Sequence, residues 1–75
     1  EDYLATEILT YYTASFFLDA YGIPENRTYD FIMLCIESSD IEKDFKIKNY
    51  NGVLTIFKEK FPDYVYQLSL MKKEN

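Results

Sequence analysis

Asp40, Glu42 and Asp44, alternating in "DIEKD", are the residues whose types and spacing come nearest to a chemical site. Carboxylates at the first, third and fifth positions of a loop are how a calcium site opens, because that hard cation collects oxygen ligands. The rest of the loop departs from that pattern. Phe45 stands sixth, where the tight turn needs Gly, and Asn51 stands twelfth, where a bidentate Glu is needed. The stretch therefore reads as a solvated acidic linker, and no metal site is assigned.

Other chemistry is limited by what the chain lacks. It has no histidine and one cysteine, Cys35, inside "IMLCIE". The usual base for a serine or cysteine nucleophile is missing, as are the usual zinc and copper ligands. Cys35 reads as a small buried hydrophobe, since its nearest charged neighbour in sequence is the acidic Glu37. The two glycines, Gly22 and Gly52, are too far apart for a phosphate loop. No catalytic residue and no cofactor follow, and an enzyme is the class least supported. "NRT" at Asn26–Thr28 is a formal glycosylation sequon, relevant only to a secreted chain.

The 75 residues allow a single small domain, 1–75, which buries so little chain that a partner or a second copy would help it. An apolar content of 48%, with eight Tyr and six Phe, argues for folding despite a net charge of −5. Eight phenolic hydroxyls do not all fit in one small core, so some rings belong at the surface, where Tyr is enriched in protein interfaces. No apolar run is long enough to span a membrane. A lone cysteine agrees with a reducing compartment, so a cytoplasmic location is expected. The chain opens at Glu1 rather than Met, which leaves room for a removed leader.

Charge divides along the chain. Residues 1–42 carry nine carboxylates against Arg27, a net of −8, whereas residues 43–75 carry seven lysines against four carboxylates, a net of +3. The two halves could meet different partners.

The elements follow from periodicity. Leu4, Ile8, Tyr11, Tyr12 and Phe16 recur at helical spacing, which predicts a helix over about 2–21, closed by Gly22 and Pro24. A second helix is expected over about 24–38, with Phe31, Ile32, Cys35 and Ile36 on one side. Beyond it, "KIKNYNGVLTIF" suggests a β-hairpin. Asn51-Gly52 is the most favourable two-residue loop, and it would put Phe45, Ile47, Leu54 and Ile56 on one face. After a break at "FPD", the alternation of "YVYQLSLM" suggests a further strand, with 72–75 as a frayed polar tail. The expected class is α+β: two N-terminal helices packed on a three-stranded antiparallel meander (about 45–50, 53–60 and 64–71). The alternative is all-α, with a helix over 41–47, a turn at "KNYN" and a second helix over 52–61, supported by the helical spacing of Ile41, Phe45, Leu54, Phe57 and Phe61. In that form residues 40–61 resemble helix-turn-helix segments of bacterial repressors. The match departs from the pattern in its long turn and in the absence of Arg, Gln or Ser at the start of the reading helix, so no family is assigned.

Three functions are weighed. The first is a non-enzymatic, acidic protein-binding module, an inhibitor or regulator of the kind mobile elements encode, docking on another protein or on a second copy as a dimer. Tyr11, Tyr12, Tyr21 and Tyr29, with Asp19 and Asp30, are its candidate contacts. The second is a nucleic-acid-binding regulator with Lys43, Lys46, Lys48, Lys58 and Lys60 on phosphates, which the net charge opposes. The third is a small structural subunit of a larger assembly.

Overall fold

The computed structural model describes residues 3–73, with side chains through Met71. Helix α1 (Tyr3–Tyr12) buries Ala5 and Ile8 on one side. It ends at Thr13, whose φ of 77° and ψ of 152° lie in a region that a β-branched residue enters only under strain, at a cost of roughly 1–3 kcal/mol. The Thr13 amide still donates to the Leu9 carbonyl (2.8 Å), and its Oγ1 accepts the Phe16 amide (3.4 Å), so one residue closes α1 and caps α2 (Ala14–Tyr21). The single helix expected over 2–21 is therefore broken in two at Thr13; its residue 2 lies outside the described residues. Gly22, left-handed at φ 71°, closes α2 by donating its amide to the Leu18 carbonyl at 2.9 Å.

Pro24 leads into a short 3-10 turn (Glu25–Arg27), and α3 (Thr28–Ser38) begins four residues later than the sequence suggests. The Ser38 and Ser39 hydroxyls then bond back to the carbonyls of Leu34 and Cys35 (2.7 and 2.6 Å), ending α3. Ser39 Oγ also accepts the Ile41 amide at 3.3 Å, which starts α4 (Ile41–Lys46).

The main departure from expectation follows α4. There are no strands among the described residues: the meander over 45–50, 53–60 and 64–71 is not formed, and α5 (Tyr50–Lys73) runs unbroken through its last two strands and through the expected Asn-Gly turn. The molecule is all-α rather than α+β. The reason is burial at helical spacing. Val53, Phe57 and Tyr64 fall on one side of α5 and enter the core, whereas of the four residues a hairpin would have buried Ile47 (63% exposed) and Leu54 (38%) stay out and Phe45 and Ile56 are only partly covered. The all-helical alternative had its helices over 41–47 and 52–61; α4 and α5 occupy those stretches, with α5 longer at both ends. Lys72 and Lys73 belong to α5, and residues 74–75 of the expected tail lie outside the described residues.

The α4–α5 corner explains what Asn-Gly does here. Lys48 takes the left-handed conformation (φ 62°), its amide donating to the Phe45 carbonyl (3.2 Å) while the Asn49 amide donates to that of Asp44 (2.8 Å). This paired closure usually has Gly at the left-handed position. Asn49 then caps α5, its Oδ1 accepting the Gly52 amide at 3.2 Å, and its Nδ2 donates to Asp44 Oδ1 at 3.4 Å. A Cβ on Gly52 would stand 2.6 Å from Asn49 Nδ2 and 2.8 Å from Asp44 Oδ2. Gly52 is thus a point of close approach inside a first helical turn, not a reversal. Pro62 sits within α5 as well, although it removes one helical hydrogen bond at a cost of about 3 kcal/mol. Burial of Phe57 and Tyr64 on either side holds the helix through it.

The core is largely aromatic. Phe57 lies among Tyr12, Phe17, Tyr21 and Phe31, with ring centroids 5.3, 5.0, 6.2 and 6.0 Å away. Ile8, Ile23, Ile32, Cys35, Ile41 and Val53 fill the space around these rings. The Tyr64 hydroxyl joins the halves: it donates to Asp30 Oδ2 at 2.8 Å and also lies 3.4 Å from the Arg27 carbonyl, tying α5 to α3 and to the turn before it.

Candidate functional site

The six residues expected to dock a partner divide between surface and interior. Tyr11 is exposed on α1, its ring stacked on Tyr50 with centroids 5.0 Å apart and planes 11° off parallel. The neighbouring Tyr50 hydroxyl is the main cause of a raised Tyr11 pKa. Tyr12 and Tyr21 are half-buried in the ring cluster. Burial pushes the Tyr12 hydroxyl up to about 12, and it has no hydrogen-bond partner among the described residues. Burial also raises Tyr21. Tyr29 is exposed on α3, Asp19 is exposed on α2, and Asp30 is engaged by Tyr64.

The lysines are similarly divided. Lys43 and Lys46 project from α4, and Lys46 Nζ is paired with Glu42 Oε2 at 2.8 Å. Lys48 lies in the corner. Lys58 and Lys60 are two residues apart on α5, so they point to nearly opposite sides of it, with Lys60 half-buried towards Cys35. Burial drives the Cys35 thiol up to about 12, away from the thiolate that nucleophilic chemistry requires. The carboxylates of "DIEKD" also go separate ways, with Glu42 on Lys46 and Asp44 on Asn49. No group of three metal-binding side chains forms among the described residues, and no described helix is long and apolar enough to cross a membrane.

A different surface is assembled by α5. Its last buried residue is Tyr64, yet the helix continues to Lys73, and at roughly 1.5 Å per residue its 24 residues extend about 36 Å in a molecule 42 × 24 × 20 Å. Past Tyr64 it presents Val65, Tyr66, Leu70 and Met71, with Tyr66 64% and Met71 51% exposed. Turning by 100° per residue, these side chains surround the helix rather than forming one stripe. On one side, Val65, Leu68 and Met71 face the Gly22–Arg27 connection across an open groove of about 530 Å³. Arg27 is half-buried there, and its guanidinium has no ion-pair partner among the described residues.

Sequence reasoning missed this surface because it paired "YVYQLSLM" as a strand with alternating faces. The available signal was that, wound as a helix, the same residues are apolar on every side, which marks a segment covered by something else. In comparisons with known proteins, no family model, no curated protein and no solved structure matches the chain.

Proposed function

We propose that this chain is a small acidic protein-binding module that acts as an inhibitor or regulator by docking on another protein, without catalysis of its own. The observation that carries this reading is the uncovered end of α5: four large apolar side chains exposed past Tyr64, the last buried residue described on the helix, where Leu68 still packs against the core. Clustered exposed apolar side chains of this kind mark interaction sites. Completing their burial contributes on the order of 1 kcal/mol each, or roughly 4 kcal/mol together. Association costs about 4–15 kcal/mol in lost freedom, so a stable complex must also use the adjoining groove.

The test is a pull-down from lysate on immobilised chain, with and without nuclease, read by mass spectrometry. The control is the double variant Tyr66→Lys/Leu70→Lys, whose exposed positions leave the core intact. The expected result is a stoichiometric protein that survives nuclease and is lost with the variant. Capture that disappears on nuclease treatment, or that ignores the two substitutions, would refute the reading.

A further inference from the structure

The groove between the end of α5 and the Gly22–Arg27 connection has a composition that selects among protein partners. Pro24, Asn26 and Arg27 form one wall, and Val65, Leu68 and Met71 form the other. Among the described residues that line the groove, Arg27 is the only charged one. It is half-buried and unpaired among the described residues, in a chain whose net charge is −5. A guanidinium beside apolar walls is matched by an apolar ligand that also carries a carboxylate, which it engages through two parallel hydrogen bonds.

The backbone around the groove narrows the form of that ligand. One wall is the helix α5 and the other is the irregular Gly22–Pro24 stretch with its 3-10 turn; with no strand among the described residues there is no free strand edge to extend, and recognition goes through side chains as when a helix lies in a groove. Val65, Leu68 and Met71 recur every third residue over about 9 Å of helix rise, which accommodates two apolar anchors spaced i and i+3 or i+4 on the incoming segment.

Resting on the docking function above and deepening it, we propose that the groove receives an acidic amphipathic helix of a partner protein. Two apolar side chains of that helix lie against Val65, Leu68 and Met71, and an adjacent Asp or Glu pairs with Arg27. The overall negative charge of the domain disfavours any acidic ligand at a distance, so the guanidinium decides whether such a segment binds at all.

The proposal is tested by panning a phage library of random peptides, ~16 residues long, on the immobilised full chain. The best peptide is then resynthesised with a fluorophore and titrated against wild type, Arg27→Gln and Met71→Lys, each checked by its melting curve. The expected outcome is enrichment of peptides with Asp or Glu within one turn of two apolar residues. Arg27→Gln should weaken binding roughly tenfold, Met71→Lys should weaken it too, and added salt should lower the affinity. Enrichment of neutral or basic peptides overturns the proposal, as does no enrichment or indifference to Arg27→Gln. Peptides that ignore Arg27 but are lost with Tyr66→Lys/Leu70→Lys would leave the docking function standing and remove only its acidic specificity. Sedimentation of the chain alone provides the remaining outcome: a dimer abolished by Met71→Lys would assign the groove to a second copy and overturn the proposal.

Discussion

Replacing Phe57 by alanine removes the ring at which helices α1, α2, α3 and α5 meet. Its side chain is fully buried, with the rings of Tyr12, Phe17, Tyr21 and Phe31 at 5.0–6.2 Å. Truncating a buried Phe costs about 3–5 kcal/mol in lost transfer energy and residual cavity. A 75-residue domain at ~0.05–0.15 kcal/mol per residue has a total stability of only about 4–11 kcal/mol. Phe57→Ala should therefore leave the chain barely folded, whereas Phe57→Leu, which keeps most of the volume, should cost about 1–2 kcal/mol. Leu54→Ala should cost less than about 1 kcal/mol, because Leu54 is 38% exposed and Ala suits an exposed helical site. Urea unfolding followed by helical circular dichroism gives the midpoints, and unchanged slopes would license comparing them as stabilities. A cycle between Phe17→Leu and Phe57→Leu should show coupling of roughly 0.5–1.5 kcal/mol for their edge-on pair. The opposite ranking, with Leu54→Ala costing several kcal/mol and Phe57→Leu neutral, would refute the helical register of α5 and restore the hairpin one.

Other outcomes follow from single groups. Tyr12→Phe deletes a buried hydroxyl that has no partner among the described residues, so it should raise stability by about 1 kcal/mol in the same unfolding assay; a loss would mean that the hydroxyl is satisfied. Pro62→Ala restores a helical hydrogen bond at an exposed position. It should add roughly 2 kcal/mol after allowing for the greater freedom of the unfolded chain, and a lowered melting temperature would contradict a continuous α5. Alkali should destabilise the fold. Cys35 is raised from its ordinary 9.0 to about 12, and Tyr12, Tyr21 and Tyr64 are raised as well, so the folded chain keeps protons that the unfolded chain releases. Stability is then complete below pH 9 and falls above it, Cys35 contributing up to ~1.4 kcal/mol per pH unit and the tyrosines joining above pH 10. Urea midpoints at pH ~8, ~9.5 and ~10.5 measure this, with Cys35→Ala moving the onset upward; a flat profile would contradict the burial of these groups.

The N-terminal half was legible because its signals agree. The helical recurrence of Ile8, Phe31, Ile32 and Cys35 matches their burial, and Gly22 closes α2 in the left-handed conformation its position suggests, although Phe17, off the expected stripe, is fully buried while Tyr11, on it, is exposed. Thr13 gave no warning, since nothing in "YYTAS" differs from helix interior; the break is set by how α1 and α2 pack. In the C-terminal half local chemistry and tertiary burial disagree. Asn51-Gly52 and Phe61-Pro62-Asp63 look like punctuation, and Val, Thr, Ile and Phe favour strands, but the burial of Val53, Phe57 and Tyr64 along one helical side prevails. The uncovered end of α5 was illegible for the same reason, since a segment paired as a strand cannot be seen to be apolar all round.

Site-specific photo-crosslinking tests the docking account most directly. A photoreactive phenylalanine analogue is placed at Leu70 on the uncovered end of α5, and at exposed Glu59 on the same helix as control, and the chain is irradiated in lysate of its source. One protein adduct of defined mass from position 70, with none from position 59, is the predicted result. Adducts from position 59 alone, or nucleic acid as the captured species, would contradict it.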